Sequence, residues 1–311
     1  MSAQGVVDLS VQIGPLQLSN PLIAASGTFG YGIEFAHLVD LNQLGAIVTK
    51  GLSLEPMEGA AAPRLCETPS GMLNAVGLQN IGAHAFVREK LPTLRAYRTP
   101  IIANVFGTSA ASYAEVIRIL EDAEGLAAYE LNVSCPNTDA GGMFFGTDPA
   151  MTADVVHMAR QVARRPIWVK LSPNVTDIRL IAKAAQGAGA DALTVANTYP
   201  AMSVDFRTHR SRLGRISGGL SGPAIKPITL RLVHILASTV TLPIIGLGGI
   251  ELGEDVLEYM AVGATAVQVG TAHFSDPRAI QTLSRELSQL CVDNKIPNIN
   301  DLRGVCIEEN G

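Results

Sequence analysis

A short apolar segment that ends on a polar or small residue recurs eight times along the chain and limits the possible folds most strongly. The segments are residues 21–25, 46–49, 101–103, 127–133, 167–169, 193–196, 244–245 and 266–269. Because both faces of each segment are apolar, they are typical of buried parallel strands. Amphipathic helical segments lie in most of the gaps, at residues 110–121, 149–163, 177–187, 224–238 and 253–261. Eight such units predict an α/β fold, the (β/α)8 TIM barrel.

The remaining segments fit a barrel better than an open doubly wound sheet. An open sheet that binds a dinucleotide needs a G-x-G-x-x-G turn after an early strand, and the sequence has none. Residues 7–18 alternate apolar and polar side chains around Gly14 and Pro15, which predicts an N-terminal hairpin that closes one end of the barrel. Two strand-end insertions remain, at residues 52–89 and 201–221. We therefore expect one barrel domain over residues 1–311.

Charge and cysteine content exclude several classes of protein. A net charge of -5 and a pI near 5.7 argue against nucleic acid as a partner, and Arg207, Arg210 and Arg215 more simply belong to a solvated loop. The four cysteines form no C-x-x-C pair and have no metal-ligand spacing with histidine, so we expect no metal site. Neither a signal peptide nor an apolar membrane span is evident, so the sequence predicts a cytoplasmic protein with reduced thiols.

Polar side chains follow most of the predicted strands. They are Ser26, Lys50, Asn104, Asn132, Cys135, Lys170 and Asn197. In a barrel, the carboxyl ends of all strands meet at one mouth, where active sites lie. The asparagines indicate a planar ligand that bears amides, and the lysines indicate negative charge on a bound group. Asparagines at strand ends can also do no more than turn the chain.

Glycines after the last strands indicate a second part of the same site. They are Gly222, Gly248, Gly249 and Gly270, the last followed by Thr271. Barrels often hold a phosphate on such loops, although glycine can also serve the turn geometry alone. A phosphate at this end and amides at the other fit flavin mononucleotide (FMN), with Lys170 stabilising charge on the reduced ring.

Residues 131–146 combine a strand end, a thiol and a glycine-rich loop. Cys135 is at the end of the strand, and Pro136 stops the strand ladder. The loop beyond, with Phe144 and Phe145, has the composition of a lid with an apolar underside. The alternative is that Cys135 is simply a small buried apolar residue.

Taken together, these motifs resemble the class 1 dihydroorotate dehydrogenases of pyrimidine synthesis, and most closely the class 1B catalytic subunit. The resemblance covers nearly the whole chain and rests on residues 25–27, 74–80, 131–137, 169–173, 218–222 and 246–250. The loop 141–146 is similar to the class 1B version. Ala196 departs from the family, which often has a larger aliphatic residue there.

The resemblance implies a role for each matching residue. Cys135 matches the base that takes a proton from dihydroorotate as it is oxidised to orotate. The substrate contacts implied are Lys50, Asn74, Ala75, Val76, Gly77, Leu78, Asn132, Asn137, Asn197 and Thr198. The FMN contacts implied are Ser26, Lys50, Gly51, Asn104, Asn132, Lys170, Ala196, Gly222, Gly248, Gly249, Gly270 and Thr271.

The class 1B resemblance also implies a partner. The sequence shows no dinucleotide fingerprint and no cysteine cluster, so electrons must leave the flavin for another carrier. In class 1B enzymes that carrier is an electron-transfer subunit with FAD and a 2Fe–2S cluster, which reduces NAD. A heterotetramer of two catalytic and two electron-transfer chains is therefore expected. The alternatives are a class 1A enzyme that uses fumarate, or a non-catalytic barrel that binds phosphate or flavin.

Overall fold

The computed structural model describes residues 7–134, 136–137 and 143–306. The strands, in chain order, are β1 (Val11–Ile13), β2 (Leu16–Leu18), β3 (Leu22–Ala24), β4 (Ala46–Val48), β5 (Leu65–Thr68), β6 (Gly71–Asn74), β7 (Ile101–Val105), β8 (Ala128–Asn132), β9 (Pro136–Asn137), β10 (Met143–Phe144), β11 (Ile167–Lys170), β12 (Ala192–Val195), β13 (Tyr199–Ala201), β14 (Val204–Asp205), β15 (Arg210–Ser211), β16 (Gly218–Ser221), β17 (Ile244–Leu247) and β18 (Ala266–Val269).

The helices, again in chain order, are α1 (Ala83–Ala85), α2 (Leu91–Leu94), α3 (Ala110–Glu121), α4 (Pro149–Val162), α5 (Ile178–Gly187), α6 (Lys226–Ala237), α7 (Gly253–Ala261), α8 (Ala272–Ser275) and α9 (Ala279–Asp293). A π-helical turn, Phe86–Lys90, joins α1 to α2, and 3-10 turns occupy Ile33–Phe35, Leu41–Gln43, Phe145–Thr147, Pro223–Ile225 and Ile299–Leu302.

Eight parallel strands close into a barrel, which confirms the predicted TIM-barrel fold. The order around the ring is β3, β4, β7, β8, β11, β12, β17 and β18, and β18 pairs with β3 to close it. Each of these strands overlaps one of the eight apolar segments, because their side chains are buried on both faces. Trp168 is the largest of the fully buried side chains.

Side-chain caps start the predicted helices close to where the sequence places them. Ser109 and Ser112 form a reciprocal capping box at the start of α3, with bonds of 3.1 and 3.2 Å between backbone N–H and hydroxyl. Asp148 and Asp177 accept backbone N–H groups at the starts of α4 and α5. The long helix α9 is not among the sequence predictions.

The N-terminal hairpin lies at the end of the barrel away from the mouth. Strands β1 and β2 pair antiparallel, with Val11 opposite Leu18. A Cβ on Gly14, in the turn, would lie 3.7 Å from Asp191, which precedes β12. The hairpin therefore packs at the amino ends of the barrel strands, as the alternating pattern predicts.

The two insertions form a sheet that the sequence did not predict. Strands β5 and β6 come from the first insertion, and β13 and β16 flank and end the second, in the order β13-β16-β6-β5. The register places Gly219 opposite Asn74. This sheet brings the end of β6 to the carboxyl ends of the barrel strands. Within the residues described, no helix combines the length and apolar character that crossing a membrane requires.

Candidate active site

The predicted site residues line one cavity of about 400 Å³ at the carboxyl ends of the barrel strands. They are Ser26, Lys50, Gly51, Asn74, Ala75, Val76, Gly77, Leu78, Asn104, Asn132, Lys170, Ala196, Asn197, Thr198, Gly222, Gly248, Gly249, Gly270 and Thr271. Cys135 lies outside the described residues, and Asn137 is described only as backbone in β9. The structure thus brings together every predicted site residue whose side chain it describes.

Further residues line the cavity that the sequence did not single out. They include Met72, Gln79, Phe106, Ser217, Glu251 and Phe274. Arg215, which the sequence analysis assigns to a solvated loop, also lines the cavity. Most of them lie on insertions or on loops after the strands, where no apolar pattern identifies the residues that face inward. The antiparallel sheet explains how residues from the insertions reach the barrel mouth.

Hydrogen bonds orient the amide side chains in the cavity. Asn197 donates from Nδ2 to Oδ1 of Asn132 at 3.1 Å, and its own Oδ1 accepts from the backbone of Thr198 at 2.8 Å. The Nδ2 of Asn74 donates to the Gly219 carbonyl at 3.2 Å. Since the Oδ1 of Asn132 is already engaged, its Nδ2 is left to donate to a ligand, and the Oδ1 of Asn74 is left to accept. The cavity therefore offers both donors and acceptors to a planar, amide-bearing molecule.

Two lysines make the cavity favourable for negative charge. Lys170 is only 7% exposed, and burial lowers its pKa while the carboxylate of Glu130 opposes that change. Burial also lowers the pKa of Lys50, with Arg64 acting in the same direction and Glu34 against it. A buried ammonium group gains from any negative charge placed beside it. An anionic ligand, or charge that develops on a ligand, would therefore be stabilised here.

Beneath the lysines lies a buried polar network that the sequence analysis missed. Glu130 is fully buried and accepts hydrogen bonds from Asn104, Thr194 and Gln268, each on a different strand. A signal was present, because Glu130 is an acidic residue in an otherwise apolar segment. Its position, two residues before Asn132, places both side chains on the same face of β8.

The glycine cradle, formed by Gly222, Gly248, Gly249 and Gly270, lines the other end of the cavity. Gly222 and Gly249 have φ angles of 95° and 69°, which favour glycine. A Cβ on Gly249 would lie 2.8 Å from the Gly222 carbonyl oxygen, so these loops approach too closely for a side chain. Nearby, Thr271 donates from its hydroxyl to Ser221 at 2.8 Å. Bare backbone beside hydroxyl groups is suited to binding a phosphate.

These features together fit FMN. The cradle is suited to its phosphate, and the buried amides with Lys170 are suited to a ring that carries negative charge when reduced. Among the described residues, no cluster of histidine, cysteine, aspartate and glutamate could hold a metal ion.

Replacing Gly249 by alanine tests the cradle. The added Cβ meets backbone at 2.8 Å in a left-handed conformation, so we expect FMN affinity to fall at least about tenfold. Fluorescence titration of free FMN measures this. Gly187→Ala is the matched control, because a Cβ there meets nothing within 4 Å, on helix α5. Equal FMN affinity in the two variants would contradict the cradle.

The predicted lid remains a prediction. Strand β9 pairs antiparallel with β10, so the two ends of the loop lie side by side. Residues 138–142, including the start of the class 1B-like loop 141–146, lie outside the described residues.

Comparison with known proteins shows where the chain belongs. The sequence profile described as dihydroorotate dehydrogenase matches residues 8–291. A protein of Citrifermentans bemidjiense named dihydroorotate dehydrogenase B (NAD(+)), catalytic subunit, is 51% identical over 297 residues, which cover 96% of this chain and 97% of that protein. One of Solibacter usitatus named putative dihydroorotate dehydrogenase A (fumarate) is 54% identical, over 95% of this chain and 97% of that protein. A protein of Geobacter sp. with the same name as the Citrifermentans protein is 50% identical, over 96% and 97%.

The profile matches most of the chain, and the relatives share about half of their residues with it over nearly the full length of both. The resemblance inferred from the motifs is thereby confirmed, and the chain belongs to the dihydroorotate dehydrogenase family.

Proposed function

We propose that this chain oxidises (S)-dihydroorotate to orotate in the de novo synthesis of pyrimidines, with FMN bound in the cavity. The observation that carries the proposal is that, in a chain of this family, four asparagine side chains, two lysines and the glycine cradle line one cavity. The whole chain, residues 1–311, would act as one catalytic domain.

One set of the cavity-lining residues would bind the cofactor, and another set would bind the substrate. The cradle, with Ser26, Gly51, Asn104 and Thr271, would hold FMN, whose ring accepts a hydride when it is bound. Lys170 would face that ring and Ala196 would pack against it. Residues 74–78, Asn132, Asn137, Asn197 and Thr198 would bind dihydroorotate. Lys50 would contact both, since it lines the cavity at the end of the barrel strand β4.

Cys135 would act as the base. Oxidation removes a proton from one ring carbon of dihydroorotate and a hydride from its neighbour, so the substrate must be held with one carbon facing the base. Asn132 lies on β8, three residues before Cys135, and its Oδ1 accepts from Asn197 and from the backbone N–H of Ser134. These bonds would hold the Asn132 side chain in place to contact the substrate. A lid that excludes water would strengthen each charge interaction in the site.

The electron acceptor could be NAD or fumarate, and the names of the relatives include both. Several relatives, including those of Citrifermentans and Geobacter, are named as catalytic subunits of an NAD enzyme, whereas the Solibacter relative is named for fumarate. We propose that this chain is cytoplasmic and that NAD is the final acceptor. NAD would be reached through a partner subunit with FAD and a 2Fe–2S cluster, in a heterotetramer of two chains of each kind. The absence of a dinucleotide fingerprint in this sequence supports a separate NAD-binding chain.

Turnover of the purified chain with different acceptors tests this assignment. With dihydroorotate, we expect steady reduction of an artificial dye and no useful formation of NADH, because the sequence has no dinucleotide-binding fingerprint. Adding the flavin and iron–sulfur partner should restore NADH formation. NADH formed by this chain alone would contradict the need for a partner subunit. Efficient turnover with fumarate would make the chain a class 1A enzyme.

A further inference from the structure

A carboxylate lies inside the barrel, one layer below the cavity. Glu130 is two residues before Asn132 on β8, so it lies about 7 Å deeper along the strand. None of its surface reaches solvent. A charged group in such a place is costly unless its surroundings compensate for the lost water.

Three neutral groups donate hydrogen bonds to Glu130. Asn104 Nδ2 donates to Oε1 at 2.7 Å, and Oε2 accepts from Thr194 Oγ1 at 2.8 Å and from Gln268 Nε2 at 2.5 Å. Strand β18, which carries Gln268, lies opposite β8 in the ring of eight, so this bond crosses the interior of the barrel. Amide N–H groups can only donate, and this arrangement therefore suits an ionised carboxylate.

Lys170 is a positively charged residue whose place in the sheet is diagonal to that of Glu130. It lies on the neighbouring strand β11, where the register pairs Trp168 with Glu130 and Lys170 with Asn132. Burial lowers the pKa of Lys170, and the carboxylate of Glu130 opposes that change by favouring the protonated form. The positions beside Lys170 on the adjacent strands are the neutral Asn132 and Thr194. Lys50, Arg215 and Glu251 are the other charged residues that line the cavity.

We propose that Glu130 is the buried counter-ion of Lys170, and that it acts as a positioning residue that keeps this lysine cationic beneath the flavin. The inference rests on the proposed function in one respect, the presence of FMN in the cavity. The same carboxylate orients Asn104, because the Nδ2 of Asn104 faces Glu130. The Oδ1 of Asn104 is therefore left as an acceptor on the cavity side, and a Cβ added to Gly51 would lie 3.0 Å from this Oδ1. One buried charge thus sets both the charge of the lysine and the hydrogen-bonding face of the asparagine.

Glu130→Gln removes the charge and keeps the shape of the side chain. Without its counter-ion, Lys170 should lose its proton at lower pH than in the unmodified chain, because burial lowers its pKa and the carboxylate that opposes this change is gone. The anionic reduced flavin then loses its support as pH rises. As pH rises, we expect the ratio of affinities for reduced and oxidised flavin to fall at least about tenfold more than in the unmodified chain. For a two-electron couple, a tenfold change corresponds to about 30 mV.

Potentiometric titration of the FMN-loaded chain with a chemical reductant measures this without dihydroorotate. Gln268→Met is the matched control, because it removes a hydrogen bond from the same carboxylate but keeps the charge, and its pH dependence should follow that of the unmodified chain. In the double variant E130Q/K170M, the additional fall should disappear because no lysine remains to titrate.

The outcomes separate this inference from the proposed function. A pH dependence in Glu130→Gln that follows the unmodified chain, or the same additional fall in Gln268→Met, would overturn the counter-ion. Failure of the unmodified chain to bind FMN would overturn both proposals, whereas FMN binding without oxidation of dihydroorotate would overturn the proposed function alone. If Glu130→Gln does not fold but E130Q/K170M does, the result would support the pairing of Glu130 with Lys170. If neither variant folds, the fold needs Glu130 for its hydrogen bonds and not for the lysine charge, which would overturn the counter-ion.

Discussion

Cys135→Ala should reduce the rate of flavin reduction by dihydroorotate by about 100-fold or more, while the chain keeps its FMN. This is the usual loss when a general base is removed from a reaction that depends on proton abstraction. Stopped-flow absorbance under anaerobic conditions measures the rate directly. Cys306→Ala is a suitable control, because this exposed thiol lies in the turn at the end of the described chain.

The pH dependence of the rate of flavin reduction, and the rate in a serine variant, also test Cys135 as the base. An unperturbed thiol has a pKa of about 8.5, so the rate should rise toward alkaline pH unless nearby positive charge shifts the rise to lower pH. Cys135→Ser should be faster than the alanine variant but should require higher pH, because a hydroxyl is the weaker acid. A Cys135→Ala variant that reduces its flavin at the unmodified rate would remove Cys135 from the mechanism.

Lys170→Met should make bound FMN harder to reduce. The reduced ring is anionic, and the variant removes a buried positive charge from the cavity while it keeps most of the side-chain volume. We expect the affinity for reduced flavin to fall about tenfold to 100-fold relative to oxidised flavin, a decrease of about 30 to 60 mV in the midpoint potential.

Lys183→Met is the control for this variant, since Lys183 is exposed on helix α5. The midpoint potential of its flavin should not change. An unchanged potential in Lys170→Met would contradict a place for this lysine beside the ring.

The barrel could be predicted because its signal is local. Each strand is a short apolar segment, and the rule that sites lie at the carboxyl ends of barrel strands then identified Lys50, Asn104, Lys170 and Asn197 without any knowledge of contacts. Helix α9 also carries a local signal, since Ile280, Leu283 and Leu287 are buried at helical spacing, and it could have been recognised.

Other features depend on pairings between distant parts of the chain. The Asn74–Gly219 bond joins residues 145 apart, and nothing in either insertion indicates which strand of the other it meets. The Glu130–Gln268 bond joins residues 138 apart across the interior of the barrel. An acidic residue in an apolar segment indicates that something is unusual there, but only the closed ring of strands shows which donors surround it.

Anaerobic titration of the FMN-loaded chain with dihydroorotate shows whether the bound flavin oxidises this substrate. We expect the visible flavin absorbance to bleach in proportion to the substrate added, with one equivalent of orotate formed for each flavin reduced. Flavin that stays oxidised with excess dihydroorotate, yet is reduced readily by dithionite, would show that the cavity binds the cofactor without carrying out this reaction.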